Sequence, residues 1–487
     1  MKLFMIGDSF CGSYASASTA AKNASIGLAL AKAMNISHYE EISGYYCGLP
    51  VSLDYLMDSL GDYTGYANRI KTQTHISDYA NSIYENRRKT ELNGKASKGK
   101  NPNPGDGHFW HNLSICGATI ADAWLLNSSI CNTMKEEENL CPDTGIPVNG
   151  FYKAASMILN PSGQKRYNDF SAIDWLEYHH TNKDDASGVE NLVLWLGIGN
   201  VINTLFDMDI TQSPGRTSKR PLLMKTNERR AASWNLSHPV DFEHEYSELI
   251  SRIDAVMAKK RGNWSVYLLN IPHVTIFPFL KGVGPTFTIP KNGQEKTYFK
   301  YYTYFPYEYE CAYLSDNKMG LKDILYIDHC IDAYNNSIQK LIDKANKKHK
   351  AQRYHIVDVN GLFDKIATKR NGYKPDFSLQ NFYPSICPPP DTRLYFASES
   401  GRIKQGGIFS LDGIHFSAYG KALVAQAILE KMQSSGRHKP ADLQYNWESF
   451  IGSDRLFSNP PKKICRLFED PAIGEKFLNM IIQAFPG

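Results

Sequence analysis

Three side chains in this sequence have the types and spacing for nucleophilic catalysis by an activated serine. Ser9 follows Leu3-Phe4-Met5-Ile6 and the turn residues Gly7-Asp8. An apolar strand that ends in a Gly-led turn delivers the next side chain to the carboxyl edge of a sheet, where open α/β folds place their ligands. If a helix follows, Ser9 stands at its positive end and its own N–H can face a developing oxyanion. A serine hydroxyl needs a base to take its proton. Asp412-Gly413-Ile414-His415 offers one, placed after Gly406-Gly407 and the short apolar pair Ile408-Phe409, and before a helical stretch. An Asp three residues before a His on a short turn can accept the Nδ1 proton and leave Nε2 for the serine. Asp241-Phe242-Glu243-His244 has the same spacing. It falls at the acidic start of an expected helix with no strand end to aim it inward, and reads as a solvated first turn.

The elements that must position these groups alternate. Lys2–Ile6, Trp110–Cys116, Leu192–Leu196, Ser265–Asn270 and Tyr354–Val357 are short apolar runs that read as buried parallel strands. Ser16–Ala33, Thr119–Met134, Phe242–Lys259, Asp323–Lys347 and Ala418–Met432 read as helices. Strand–helix alternation predicts an α/β fold with a parallel sheet. Long connections separate them. Arg87–Gly107 and Thr211–Arg230 are basic and polar, while Lys281–Gln294 and Pro384–Gly407 are Gly- and Pro-rich. Loops of this length usually carry function, as lids or binding walls, or are disordered. Ser434–Gly487 reads as an appendage, with an amphipathic helix over Arg466–Phe485.

The ordered motifs resemble those of the GDSL esterase/lipase family, the SGNH hydrolases. The resemblance rests on Gly7-Asp8-Ser9, Gly117 in Ser114-Ile-Cys-Gly-Ala-Thr, Gly197-Ile198-Gly199-Asn200 and Asp412-Gly-Ile-His415. Phe409 to Ala425 is similar to that family's final segment, and Leu269-Asn-Ile-Pro-His-Val-Thr to the strand before it. It implies a three-layer α/β/α sandwich with a flavodoxin-like parallel sheet, and ester hydrolysis through an acyl-enzyme. Carried over by position, Ser9 is the nucleophile, His415 the base and Asp412 its orienter. The oxyanion is held by the N–H of Ser9, the N–H of Gly117 and the side-chain amide of Asn200. The family pattern Gly-x-Asn-Asp departs here to Gly-Ile-Gly-Asn-Val. Aligned from Gly197, the donor position falls on Gly199; with a one-residue bulge it falls on Asn200. The altered turn motivates a second reading, a weak or inactive binding protein on the same fold. The expected organisation is a hydrolase domain over 1–433 with insertions near 45–108, 136–190, 205–240, 280–320 and 365–408, and a helical appendage over 434–487.

Composition restricts the alternatives. Of 487 residues, 42% are hydrophobic and 21% charged, which excludes a mainly disordered chain. A formal net charge of +4 gives no reason to expect nucleic acid as a partner. No apolar run reaches transmembrane length. The first residues lack signal-peptide character, which predicts a cytoplasmic location and leaves secretion open. The nine cysteines have no CxxC spacing and read as scattered thiols. Gly197-Ile-Gly199 lacks the third glycine of a dinucleotide fingerprint, with Ile202 in its place. His108, His111, His179 and His180 could suggest a metal, but no third ligand cluster is evident nearby and they read as polar surface. Cys116 reads as a small buried hydrophobe, Tyr298–Tyr309 as an aromatic wall or a packed insertion, and Lys95–Lys100 as a solvated loop. Neither metal nor organic cofactor is expected, and the partner is a small-molecule or lipid ester.

Overall fold

The computed structural model describes residues 1–12, 25–41, 53, 78, 109–134, 151–182, 188–215, 221–260, 262–291, 293–306, 317–372, 389–397, 403–436, 438, 445–461, 474, 475, 478, 479, 481 and 482. Its centre is a five-stranded parallel sheet built from β1 (Leu3–Gly7), β2 (Asn112–Ser114), β3 (Asn191–Trp195), β4 (Ser265–Leu269) and β8 (Tyr354–Val357). The spatial order is β2-β1-β3-β4-β8. Every residue of β1, β3 and β4 is buried. A sheet covered on both faces needs such continuous apolar strands, which is why these segments were legible as runs rather than alternations. Counted alone, the five follow the order 2-1-3-4-5 of flavodoxin-like doubly wound folds, whose ligand crevice opens beside β1 where the winding reverses. Gly7 pairs with Ser114 on one side and Trp195 on the other. The turns after β1, β2 and β3 therefore emerge side by side.

Seven helices concern the site: α1 (Ile26–Ala33), α2 (Phe151–Leu159), α3 (Ala172–Thr181), α4 (Pro239–Met257), α5 (Leu321–His349), α6 (Val359–Ile366) and α7 (Ala418–Ser434). Their starts follow capping chemistry. Ser25 and Ser417 accept N–H bonds in the first turns of α1 and α7, Asp358 does so for α6, and Pro239 takes the first position of α4. Helices α1 and α7 pack together, α4 packs against α3 and α5, and α7 covers β4 and β8. These two groups about one sheet are compatible with a three-layer arrangement.

Several sequence expectations change. Thr119–Met134 is not one helix: Asp122–Leu125 stops, and Asn127 Oδ1 accepts the N–H of Ile130 to start Ser128–Met134. Lys281–Gln294 is no loop. It is strand β5 (Leu280–Lys291) turning into β6 (Gln294–Tyr304), which also pairs with β7 (Met319–Gly320). A register shift between Val283 and Thr286 accommodates Gly284 and Pro285. Pro384–Gly407 contains the short antiparallel pair β9 (Tyr395–Ala397) and β10 (Ile403–Gly406). Among the described residues of 434–487, Phe450, Ile451, Leu456, Leu478 and Ile481 pack into the main hydrophobic core. Arg87–Gly107 and Lys95–Lys100 lie outside the described residues, as do 16–24 of the first expected helix and most of Arg466–Phe485.

Candidate active site

Ser9 follows the end of β1 in a turn over residues 8–12. Gly7 is needed for that turn, because a Cβ there would stand 2.5 Å from Cys11 Cβ and 2.9 Å from the Trp195 carbonyl. The Asp8 N–H donates to that same carbonyl at 3.1 Å, tying the turn to β3. Asp8 Oδ1 accepts the N–H of Phe10 at 3.0 Å. Burial pushes the Asp8 carboxyl up to about 7, against the N–H groups of Phe10, Gly199 and Ile198 that draw it down. Phe10, next in sequence to Ser9, packs its ring 5.7 Å from that of His415 and 5.3 Å from that of Phe416. The amino-terminal turn and the segment more than four hundred residues later thus share one packed cluster.

The second half of the site is Asp412 and His415, both almost fully buried. Asp412 Oδ2 lies 2.6 Å from His415 Nδ1. Asp412 Oδ1 accepts three bonds, from Ser410 Oγ at 2.9 Å, the Ile414 N–H at 2.9 Å and the His415 N–H at 3.0 Å. Burial alone would raise this carboxyl. The His415 imidazole and those donors outweigh it and hold Asp412 below the usual carboxylate range. Gly413 has φ +71° and its carbonyl accepts the Phe279 N–H at 2.9 Å; a Cβ there would meet that nitrogen at 2.7 Å. Only glycine fits this close approach in the left-handed region. Behind the turn, Asp454 Oδ2 accepts the N–H of Ala418, the first residue of α7, at 2.7 Å. No local spacing signals this cap, which arrives from 36 residues downstream.

The turns after β2 and β3 complete the rim. Gly117 has φ +76° and Gly197 φ +123°. Residues Ile198–Asn200 form a single tight helical turn. Gly199 presses on the neighbouring turn so closely that a Cβ would lie 2.1 Å from the Ala118 carbonyl oxygen. The Asn200 amide is engaged on both ends. Its Oδ1 accepts the Ile120 N–H at 3.0 Å, and its Nδ2 donates to Ser237 Oγ at 2.9 Å and faces Glu245 Oε2 at 3.5 Å. The N–H groups of Ile198 and Gly199 face the Asp8 carboxyl. A phosphate would compete with that acid, which weighs against nucleotide binding at this turn.

Beside this rim lies a cavity of about 340 Å³ that reaches Gly117, Gly199 and Asn200. Its far wall comes from 221–237, within and just beyond the stretch expected to be a polar loop. Arg229 lies 2.7 Å from Glu245 Oε1. Burial lowers the Arg229 pKa and Glu245 raises it further, with a net upward shift. Burial raises Glu245 more than Arg229 lowers it.

The remaining sequence candidates serve packing. Asp241 is not solvated: it is buried, with Oδ2 accepting from Ser213 Oγ at 2.6 Å and the Gly215 N–H at 2.7 Å. His111, His179 and His180 are not surface groups but buried: the His179 ring lies 3.8 Å from that of Phe109 and stacks on Trp175. Burial pushes His179 down to about 3 and His111 to about 4. His180 bridges Val189 N–H and the Met257 carbonyl. His108 lies outside the described residues. Among the described residues no group of three His, Cys, Asp or Glu could hold a metal, and no helix is long and apolar enough to cross a membrane. Cys116 is buried. Tyr298 is buried in β6, donating to Asp328 Oδ2 at 3.0 Å under the Arg370 guanidinium; Tyr307 to Tyr309 lie outside the described residues.

No protein-family model matches the chain, and no curated protein matches it significantly.

Proposed function

We propose that this chain is a serine esterase of the SGNH type, with Ser9, His415 and Asp412 as its triad. The observation that carries the reading is the packing of Phe10 against His415 above a buried Asp412–His415 pair. It brings the residue after the serine onto the imidazole. In this reading Ser9 Oγ attacks the ester carbonyl carbon and passes its proton to His415 Nε2. Asp412 holds the Nδ1–H and stabilises the imidazolium. The tetrahedral intermediate collapses, the alcohol leaves with the proton from Nε2, and water attacks the acyl-enzyme by the same route. The N–H groups of Ser9 and Gly117 receive the oxyanion, each such donor contributing about 10²–10³ in rate. Asn200 is the third candidate donor, and its engaged amide argues that it joins only if Ser237 and Glu245 release it. The chemistry requires neither a metal nor an organic cofactor.

The same engaged amide favours a second reading, a binding protein built on this fold with little turnover. A fluorophosphonate probe separates the two. The esterase is labelled, the label maps to Ser9, and Ser9→Ala removes both label and turnover. An unlabelled, folded protein that hydrolyses no p-nitrophenyl ester from acetate to palmitate ends the esterase reading.

A further inference from the structure

Resting on the esterase reading, we infer that the cavity beside Gly117 and Gly199 receives a polyhydroxylated, sugar-like portion of the substrate. At about 340 Å³ it has the size of a small-molecule site. Its wall is wrong for an acyl chain. Asp122, Asn203 and Asp207 border it, and the carboxylate lone pairs and amide groups they keep beyond their protein bonds would lose hydration against a hydrocarbon without return. Nor is it an anion site. Its two guanidinium groups, Arg229 and Arg230, are offset by the carboxylates of Asp122, Asp207 and Glu245. Arg229 is paired with Glu245, and Arg230 lies over the Phe151 ring at 4.1 Å.

What suits this wall is a ligand whose every group both donates and accepts. A hydroxyl does so. Carboxylates and amide oxygens take its proton, and guanidinium and amide N–H groups meet its lone pairs. Asn203 and Asp207 show the pairing on a small scale. They stand four apart on the short helix Asn203–Asp207, an amide and a carboxylate on one face. Trp234 and Phe206 add apolar surface for the C–H face of a pyranose. The polarity is also held rigid. Asn235 Nδ2 donates to Asp207 Oδ2 at 2.7 Å, and Asp122 Oδ2 accepts from Thr119 N–H and Oγ1 at 2.8 Å each. Preset partners spare the ligand part of the ordering cost of binding.

The test compares mono-O-acetylated methyl hexosides of the gluco, galacto and manno series with p-nitrophenyl acetate, on the native chain, Asn203→Leu and Trp234→Ala. The variants should lose about tenfold in kcat/KM on the best acetylated hexoside, the size of one or two lost polar or stacking contacts, and lose several-fold less on p-nitrophenyl acetate. Equal losses on both substrates would overturn the inference, as would p-nitrophenyl activity that climbs toward palmitate with acetylated hexosides untouched. Saturation-transfer NMR on Ser9→Ala with the same hexosides, acetylated and free, reads the cavity without turnover. Hexoside binding abolished by Trp234→Ala, in a chain that fluorophosphonate does not label, keeps the cavity and removes the esterase. Labelled Ser9 with no hexoside bound or cleaved does the reverse.

Discussion

Replacing Asp412 by Asn separates what this carboxylate does for the fold from what it does for the imidazole. Its two oxygens have different work. Oδ1 accepts three bonds, from Ser410, Ile414 and His415, while Oδ2 meets the Nδ1 of His415. The Asn amide has one way to sit. Turned with its NH2 toward three donors it would set donor against donor, so its oxygen takes the Oδ1 place and its NH2 faces Nδ1. A charged bond becomes a neutral one, at about 1–2 kcal/mol of stability. The imidazole must then accept at Nδ1 and carry its proton on Nε2, where it cannot take one from Ser9. The expected loss in kcat is about 10⁴, or roughly 5.5 kcal/mol of transition-state stabilisation. Asp412→Ala leaves two backbone N–H groups without their acceptor, each costing about 1–3 kcal/mol when buried, and its melting temperature should fall well below that of the Asn variant. Steady-state hydrolysis of p-nitrophenyl acetate and a thermal melt on the three proteins decide it. An Asn variant within about tenfold of native kcat would refute Asp412 as the orienting group.

Four further outcomes follow from the same geometry. His415→Ala should lose several orders of magnitude in kcat and His244→Ala little; equal losses in the ester assay would show the base misassigned. Asn200→Ala should lower the melting temperature through the freed Ile120 N–H and Ser237 hydroxyl, with kcat reduced less than the ~10² expected for a lost oxyanion donor; an intact melt with a larger kcat loss would make the amide a donor after all. His273 is held by Asp364 at Nδ1 and Asp332 at Nε2, at 3.0 and 2.9 Å. Burial lowers its pKa, but Asp328, Asp332 and Asp364 raise it to about 9 overall. This stabilisation is complete below the unfolded value near 6.5 and lost as pH rises through about 9. Melting temperature should therefore fall across that window, less steeply in His273→Gln; parallel slopes would rule the His273–aspartate cluster out as the cause. Asp454→Ala frees the Ala418 and Leu456 N–H groups and should cost about 2–6 kcal/mol, with Asp454→Asn retaining part; an unchanged denaturant midpoint for the Ala variant would show the tail does not brace α7.

How legible these features were depends on how far their causes extend along the chain. The core strands were readable because burial on both faces leaves a continuous apolar run; Tyr354–Val357 has the same bounds in sequence and structure. Asp412 and His415 were readable as a spacing because their bond is local. The β5–β6 hairpin was not, since Gly282, Gly284, Pro285 and Pro290 compose like a turn, and only pairing across to β6 makes Leu280–Lys291 a strand. Asp241 lies at a helix start as its sequence reads, but it is buried rather than solvated, bonded to Ser213 and Gly215, which no local pattern predicts. The stretch Thr211–Arg230 announced itself as a long polar connection, but the cavity it borders needs residues from the turns after β2 and β3 as well.

The turn after β3 carries the deepest physical tension in the site. A family-like donor at position 199 would need a Cβ, and the Ala118 carbonyl occupies that place. Shifting the donor to Asn200 keeps the amide but surrenders its aim, because Ile120, Ser237 and Glu245 hold it from three separate segments. Those bonds join the turn after β2, the loop before α4 and α4 itself to the turn after β3. They also define the edge of the polar cavity. An amide spent on rigidity cannot also yield to a developing oxyanion without breaking a bond worth about 1 kcal/mol. If the esterase reading holds, transition-state stabilisation then shifts toward backbone donors and toward binding energy gathered in the cavity. Such an enzyme should depend on the cavity-bound portion of its substrate for kcat as well as KM, and show weak turnover on minimal esters that leave the cavity empty.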